Sequence, residues 1–326
     1  MDRRRRHRRA EPDPAGPVRR RVRLQIINAC IGNPDRGLPR AHGLVVLADP
    51  DTAAPSCILE GGQISALRTA AVSMVALRAV RDLGTVRELA VLGCGRQART
   101  HLELLAARTR LASLTVHDTS ADRAAAFARS AAALVPGATI TVADTARDAV
   151  SAATVTIAAT TTTSPYVPLD WLPPDGVFVN VSLDDATEDL LLGCDYLVVD
   201  DWELVSEDDT RLLGRLARAG RVTGPGEPAP PGGRAVDAEL ASLVSGGEPA
   251  GSGGEPAGSG GEPAGSGGGM PAGSGGGMPA GSSGGTPAAA GLVVINPFGM
   301  GVHDIALAAH VHAAALDRRA GTWLPR

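Results

Sequence analysis

Between residues 85 and 200, short apolar runs rich in valine, isoleucine and leucine alternate with stretches whose apolar residues recur at spacings of three and four. The runs 88–92, 114–117, 138–142, 154–159, 176–181 and 196–199 read as strands, and 99–107 and 120–134 read as helices. Strands alternating with helices specify right-handed βαβ units and a parallel sheet, so this part is predicted to be a Rossmann-type, doubly wound α/β domain. The earlier part has a different rhythm. Residues 22–27 and 43–47 are β-rich and are bounded by the turn sequences Asn33-Pro34-Asp35-Arg36-Gly37 and Asp49-Pro50-Asp51, a pattern that predicts an antiparallel meander. Ser65 then reads as the N-cap of a helix whose apolar face carries Leu67, Ala70, Ala71, Met74, Val75 and Leu77.

The strand at 88–92 breaks into Gly93-Cys94-Gly95-Arg96-Gln97-Ala98, a Gly-x-Gly-x-x-Ala turn. In such a turn the first glycine allows the bend and the second lets the backbone approach a pyrophosphate. The small third residue lets the helix pack on the strand, and the helix start, with Arg96 and Gln97, offers N–H groups to the anion. Asp118 ends the next strand, where the ribose hydroxyls of a dinucleotide would lie. Its carboxylate favours NAD and repels a 2′-phosphate unless Arg123 compensates.

Ligands of open parallel sheets bind outside the carboxyl ends of the strands, which directs attention to Thr160, Thr161, Ser182, Asp184, Asp185 and the pair Asp200-Asp201. Asp184 or Asp185 can exchange protons with a substrate amine or water where burial raises its pKa; the alternative is that both cap the helix near Leu190. Arg68, beside Thr69 on the first turn of its helix, either grips a carboxylate or phosphate or lies solvated on the helix flank. Trp171, Trp202 and Trp323 read as packing residues. His310 and His312, two apart on a helix, do not share a face, and no metal site is expected.

Composition narrows the function classes. The 326 residues are 44% hydrophobic and 20% charged with a formal net charge of -4, a balance that suits two soluble domains and gives no bulk signal for a nucleic-acid partner. All 31 Lys/Arg-type residues are arginine. Four scattered cysteines, Cys30, Cys57, Cys94 and Cys194, form no Cys-x-x-Cys pair and suit a reducing, cytoplasmic setting. No apolar run is long enough for a membrane span, so no membrane partner is expected. Residues 1–20 read as a disordered arginine-rich tail, and 245–290, where Gly-Gly-Glu-Pro-Ala-Gly-Ser recurs, as a flexible Gly/Pro/Ser loop.

The block Ile64-Ser65-Ala66-Leu67-Arg68-Thr69-Ala70-Ala71, the turn Gly93 to Ala98 and the strand Gly43-Leu44-Val45-Val46-Leu47-Ala48-Asp49 together resemble the ornithine cyclodeaminase/μ-crystallin family. Ser182-Leu183-Asp184-Asp185, Asp200-Asp201-Trp202-Glu203 and Asn296-Pro297-Phe298-Gly299-Met300 are most similar to the branch that makes 2,3-diaminopropionate. The resemblance implies a homodimer. It also implies an antiparallel α+β substrate and dimerisation domain built from both chain ends (residues 21–84 and 299–326, N-terminally incomplete) and an NAD-binding Rossmann domain at 85–298. The implied reaction takes N-(2-amino-2-carboxyethyl)-L-glutamate, with NAD and water, to 2-oxoglutarate and 2,3-diaminopropionate. Arg68 and Gln25 would bind this small amino-acid substrate. Thr69, Gly93, Gly95, Arg96, Gln97, Ala98, Asp118, Thr160, Thr161 and Ser182 would bind the cofactor, and Asp184 or Asp185 would move protons. Where family members usually carry a lysine, eight residues before Asn33, this chain carries Gln25. Ornithine cyclodeaminase and an inactive crystallin-like dinucleotide-binding protein are the competing readings.

Overall fold

The computed structural model describes residues 23–33, 36–49, 51–245 and 291–323; the expected arginine-rich tail, and the repeat segment from residue 246, lie outside the described residues. The chain forms two compact units, residues 1–68 with 300–326 and residues 69–299.

The first unit opens with β1 (Arg23–Ala29), β2 (Ala41–Ala48) and β3 (Pro55–Glu60), an antiparallel meander in that order. The third strand carries three consecutive apolar residues, Cys57, Ile58 and Leu59, and so lacks the alternation that marks a half-buried strand. Helix α1 (Gly61–Val80) follows at once. It starts at Gly61 rather than after Ser65 because the Glu60 carboxylate accepts the N–H groups of Gly62 (2.8 Å) and Gln63 (2.7 Å), the bonds that a capping side chain makes. The expected apolar face also needs correction: Val75 is exposed and Leu67 and Ala71 are half-buried, while Ile64, Ala66, Ala70, Met74 and Leu77 are buried.

The second unit is an eight-stranded sheet whose described pairings are all parallel, as the alternation predicts. Its elements are β4 (Glu88–Leu92), α2 (Arg96–Ala106), β5 (Ser113–His117), α3 (Ala121–Ala131), β6 (Thr139–Val142), α4 (Ala146–Ser151), β7 (Val155–Ala158), β8 (Val177–Asn180), α5 (Glu188–Gly193), β9 (Tyr196–Val199), α6 (Trp202–Glu207) and α7 (Leu212–Arg218). A short parallel pair, β10 (Val222–Thr223) and β11 (Arg234–Ala235), precedes β12 (Ala238–Glu239), α8 (Leu240–Ser245) and β13 (Val293–Asn296). The strand order is β12-β9-β13-β8-β7-β4-β5-β6. From β4 the chain runs outward through β5 and β6, then returns to lay β7 on the other side of β4. That reversal makes a crevice at the carboxyl ends of β4 and β7.

Both faces of this sheet are covered. Leu89, Val91, Ile157, Val177, Val179, Val293 and Ile295 belong to one buried cluster, and their strand neighbours Leu92, Ala158, Phe178 and Val294 to another, the period of two expected of a two-sided core. One buried polar contact fastens α1 to α2: His101 Nε2 lies 2.9 Å from Ser73 Oγ and Nδ1 lies 2.7 Å from the Gln97 carbonyl oxygen. Burial pushes the imidazole down to about 4, so His101 is neutral there.

The chain ends in α9 (Gly301–Arg318), which returns to the first unit, where Ile305 and Ala308 pack with Val45, Leu47 and Ile64. On the opposite face of the meander no described residue covers Leu24 (55% exposed), Ile26 (47%), Leu44 (51%) or Ile58 (62%), Ile26 pairing with Leu44. Trp323, expected in packing, is exposed because it lies beyond the left-handed turn at Arg319 that ends α9, whereas Trp171 and Trp202 pack against the core. No described helix is long and apolar enough to cross a membrane.

Candidate active site

The glycine turn sits in the β4–β7 crevice. Gly93 has φ +82, and a Cβ there would lie 2.8 Å from the Ala159 carbonyl oxygen and 3.0 Å from Thr160 Cα, so the turn and the segment after β7 touch backbone to backbone. Only glycine meets both conditions without strain. Gly95 differs: a Cβ there would meet nothing within 4 Å. Gly95 is also the N-cap of α2 and supplies no side chain, leaving the first N–H groups of the helix to an incoming acceptor. Ala98 is fully buried against the sheet, Arg96 is exposed, and Gln97 Oε1 is buried without a hydrogen-bond partner. Open space in front of Gly95 and a helix start with free N–H donors fit the phosphate of a bound cofactor, while the Gln97 amide oxygen can accept only from a donor such as a hydroxyl.

Asp118 closes one side of this turn. Its Oδ2 accepts the Cys94 N–H (2.9 Å), and its Oδ1 accepts the Ser120 N–H (2.9 Å) and pairs with Arg123 (2.9 Å). Burial opposes the charge, but these donors outweigh it and hold the carboxyl below its usual range. The same carboxylate, added to burial, pushes the Cys94 thiol up to about 12, so it is no nucleophile.

After β8 the chain makes a tight turn at Ser182-Leu183-Asp184-Asp185, with Leu183 in the left-handed region at φ +74. For a leucine this costs about 1–2 kcal/mol and persists only where neighbours enforce it. The turn aims two adjacent carboxylates at different partners. Asp184 pairs with Arg211 (2.8 Å) and accepts the Leu212 N–H (3.0 Å), so it caps α7 rather than the helix near Leu190. Asp185 is fully buried; Thr160 Oγ1 donates to it at 2.7 Å, and Ser182 Oγ and the Tyr166 hydroxyl donate as well. Desolvation prevails over these donors, with a further push from Asp184, and raises the Asp185 carboxyl above the ordinary range. Burial and the Asp185 charge likewise raise the Tyr166 phenol.

Partners that the sequence did not reveal complete the arrangement. Asn180 at the end of β8 donates to Asn296 Oδ1 at the end of β13 (2.8 Å), and its own Oδ1 accepts the Asp185 N–H (3.3 Å). Asp200 accepts the N–H groups of Phe298 (2.8 Å) and Gly299 (2.6 Å), fastening the Asn296-to-Met300 turn. The structure thus brings Thr160, Ser182 and Asp185 into one hydrogen-bonded cluster, with the Gly93 backbone packed against Ala159 and Thr160 and Asp118 held to the glycine turn. Thr161 is exposed beside them. Thr69 begins the part of α1 that belongs to this unit.

In the first unit, Gln25 pairs with Val45 across β1 and β2 and is half-buried. Arg68 is not solvated: its side chain is 18% exposed and its Nε lies 3.0 Å from Oδ2 of Asp304, a carboxylate that is 2% exposed.

Comparison with known proteins identifies the family and the fold. Over 290 residues the chain is 26% identical to the N-((2S)-2-amino-2-carboxyethyl)-L-glutamate dehydrogenase of Staphylococcus aureus, covering 89% of this chain and 73% of that one. The crystal structure of CmnK is 33% identical with a TM-score of 0.70, covering 93% of this chain and 77% of that one. An archaeal alanine dehydrogenase dimer with bound NAD shares the fold at 18% identity and a TM-score of 0.68, over 94% of this chain and 81% of that one. Residues 14–319 match the ornithine cyclodeaminase/mu-crystallin family, and the chain belongs to that family.

Proposed function

We propose that this protein is an NAD-dependent oxidoreductase that converts N-(2-amino-2-carboxyethyl)-L-glutamate and water to 2,3-diaminopropionate and 2-oxoglutarate, releasing NADH and a proton. The observation that carries the chemistry is Asp185, a buried carboxyl of raised pKa wrapped in three hydroxyl donors at the same strand-end edge as the glycine turn. The choice of substrate is supported by the 290-residue likeness to the staphylococcal dehydrogenase.

Gly93, Gly95, Arg96, Gln97 and Ala98 would hold the pyrophosphate of NAD, with Asp118 at a ribose and Thr69, Thr160, Thr161 and Ser182 lining the cofactor. Bound NAD would supply the hydride acceptor. The chain's own part is to bind, orient and move protons. Arg68 would grip a substrate carboxylate through its guanidinium. Asp185 is assigned the proton transfers at the substrate amine and at the attacking water, because both oxygens of Asp184 are committed to Arg211 and Leu212. Burial that raises the Asp185 carboxyl above the ordinary range makes it the readier of the two to take up a proton.

The exposed apolar face of the meander would be covered by the same face of a second copy, giving a homodimer. A two-fold contact needs only one self-complementary patch, and each of the three strands puts an exposed apolar residue on this face, with Glu60, Asn28 and His42 at its rim. Gln25 favours a second reading, an inactive dinucleotide-binding protein, because a neutral amide cannot act as the ammonium that the family usually places there.

The test is NADH absorbance after mixing purified protein, NAD and N-(2-amino-2-carboxyethyl)-L-glutamate, with ornithine in parallel and ammonia measured in both. NADH from the first compound alone is expected. Ammonia from ornithine without net NADH would instead assign cyclodeamination. Tight NADH binding with no turnover of either would leave the inactive reading.

A further inference from the structure

Among the described residues, five buried side-chain nitrogen or oxygen atoms have no hydrogen-bond partner, and three of them, Arg68 Nε, His303 Nδ1 and Asp304 Oδ1, belong to the ion pair between α1 and α9 or to the residue beside it. The Arg68–Asp304 separation of 3.0 Å makes an ion pair, but the N–H does not point along it, so the contact is Coulombic rather than an aligned hydrogen bond. A buried pair so incompletely satisfied contributes little to folding, since the desolvation of both charges offsets their attraction. The plain alternative is that Asp304, in the first turn of α9, serves only the helix dipole. Its oxygens argue against that. Oδ2 faces Arg68 and Oδ1 accepts nothing, so neither bonds an N–H group of its own helix.

We infer that Asp304 is a positioning residue that fixes the Arg68 guanidinium for the substrate carboxylate; this rests on the proposed role of Arg68. The Asp304 contact is made through Nε, at one corner of the planar guanidinium, whereas a carboxylate is gripped in two-point fashion by a pair of its nitrogens. Holding one corner electrostatically from behind limits where the rest of the fork can lie. A misplacement of about 1 Å at a residue that orients a substrate costs on the order of 100-fold in rate.

The experiment compares the full-length wild type, Asp304→Asn, Arg68→Gln and the double variant, with Asp304→Ser as a second truncation should the first fold poorly. NADH binding and thermal unfolding serve as checks on the fold. For Asp304→Asn, kcat with the oxidised amino acid is expected to fall about 10- to 100-fold, with the KM for NAD and the Kd for NADH within about twofold of wild type. In the Arg68→Gln background, Asp304→Asn is expected to change kcat by less than about threefold, because the group that it positions is gone. An unchanged kcat in the folded Asp304 variants, or the same loss whether or not Arg68 is present, overturns the inference while leaving the functional reading intact. A wild type that oxidises none of a panel of α-amino acids overturns both.

Discussion

Gly93 and Gly95, in the turn proposed to bind phosphate, are expected to separate stability from binding, and substituting each with alanine gives opposite expectations. At Gly93, alanine is forced to φ +82, at about 1–2 kcal/mol for the left-handed conformation. Its Cβ would also lie 2.8 Å from the Ala159 carbonyl oxygen and 3.0 Å from Ala159 C and Thr160 Cα. Those are backbone atoms of the segment directly after β7 rather than a flexible side-chain end, so overpacking adds about 1–3 kcal/mol. Gly93→Ala is therefore expected to lower the free energy of unfolding in urea by about 2–5 kcal/mol. At Gly95, φ is -92 and a new Cβ meets nothing within 4 Å, so the loss is limited to the poorer N-cap, within about 1 kcal/mol. A methyl group in the space where a pyrophosphate must approach the backbone should nevertheless weaken NADH binding, read by fluorescence titration, by at least about tenfold. Wild-type NADH affinity in Gly95→Ala would refute the assignment of this turn to the pyrophosphate. Wild-type stability in Gly93→Ala would refute the close backbone approach.

Other perturbations test the remaining assignments. Asp185→Asn should keep NADH binding and lose about 100- to 10,000-fold in kcat, a smaller change making Asp185 a bystander. Because the Asp185 carboxyl is raised on folding, the native state holds the extra proton, and stability from this group should fall as pH rises from the unfolded value through the folded one. Urea unfolding of wild type against Asp185→Asn across that window would expose the opposite slope if burial were not the cause. His101 has the reverse sign: lowered to about 4, it takes up a proton only in the unfolded chain below about pH 6.5, so stability should drop by up to about 3 kcal/mol between pH 6.5 and 4. That pH dependence should be absent in His101→Asn. Asp118→Ala removes one partner of Arg123 and the repulsion of a 2′-phosphate, so the preference for NAD over NADP in binding should shrink about tenfold or more. Leu44→Arg with Ile58→Arg puts two charges on the exposed apolar face of the meander; if the proposed homodimer is right, light scattering should report a dimer for the wild type and a monomer for the variant.

The α/β layering was legible because its signals are local. Residues 155–158 and 177–180 are fully buried strands of four residues, and a strand covered on both faces reads as an apolar run, interrupted here only by Thr156 and Asn180. The glycine turn was legible for the same reason, since its geometry follows from residues next to one another. The start of α1 was not, because Gly61-Gly62 reads as a break and only the Glu60 carboxylate, bonded to Gly62 and Gln63, makes it a helix. The site partners were hidden by distance along the chain. Thr160 reaches Asp185 across 25 residues, Arg211 reaches Asp184 across 27, and Asn180 meets Asn296 across 116, the last spanning the inserted repeats. No periodicity encodes such pairs.

The adjacent aspartates illustrate how much depends on those partners. By sequence Asp184 and Asp185 are interchangeable: each follows an apolar strand and precedes a short helix. Leu183 at φ +74 turns the chain between them and Ser182 so that one carboxylate reaches a cation and a helix N–H while the other enters a buried nest of hydroxyls. Hydroxyl donors satisfy a carboxyl in either protonation state, whereas a guanidinium favours only the charged one. A group that must take up and release a proton needs the first kind of surroundings. A group that must hold a turn in shape needs the second. The side chains on Thr160, Tyr166 and Arg211, rather than either aspartate itself, therefore decide which carboxyl is chemically useful. Exchanging that support, as in Arg211→Leu, should loosen the turn and disturb Asp185 indirectly: kcat should fall while the pH at which activity is half-maximal also shifts. A fall in kcat with an unmoved pH profile would show instead that Arg211 serves only the cap of α7.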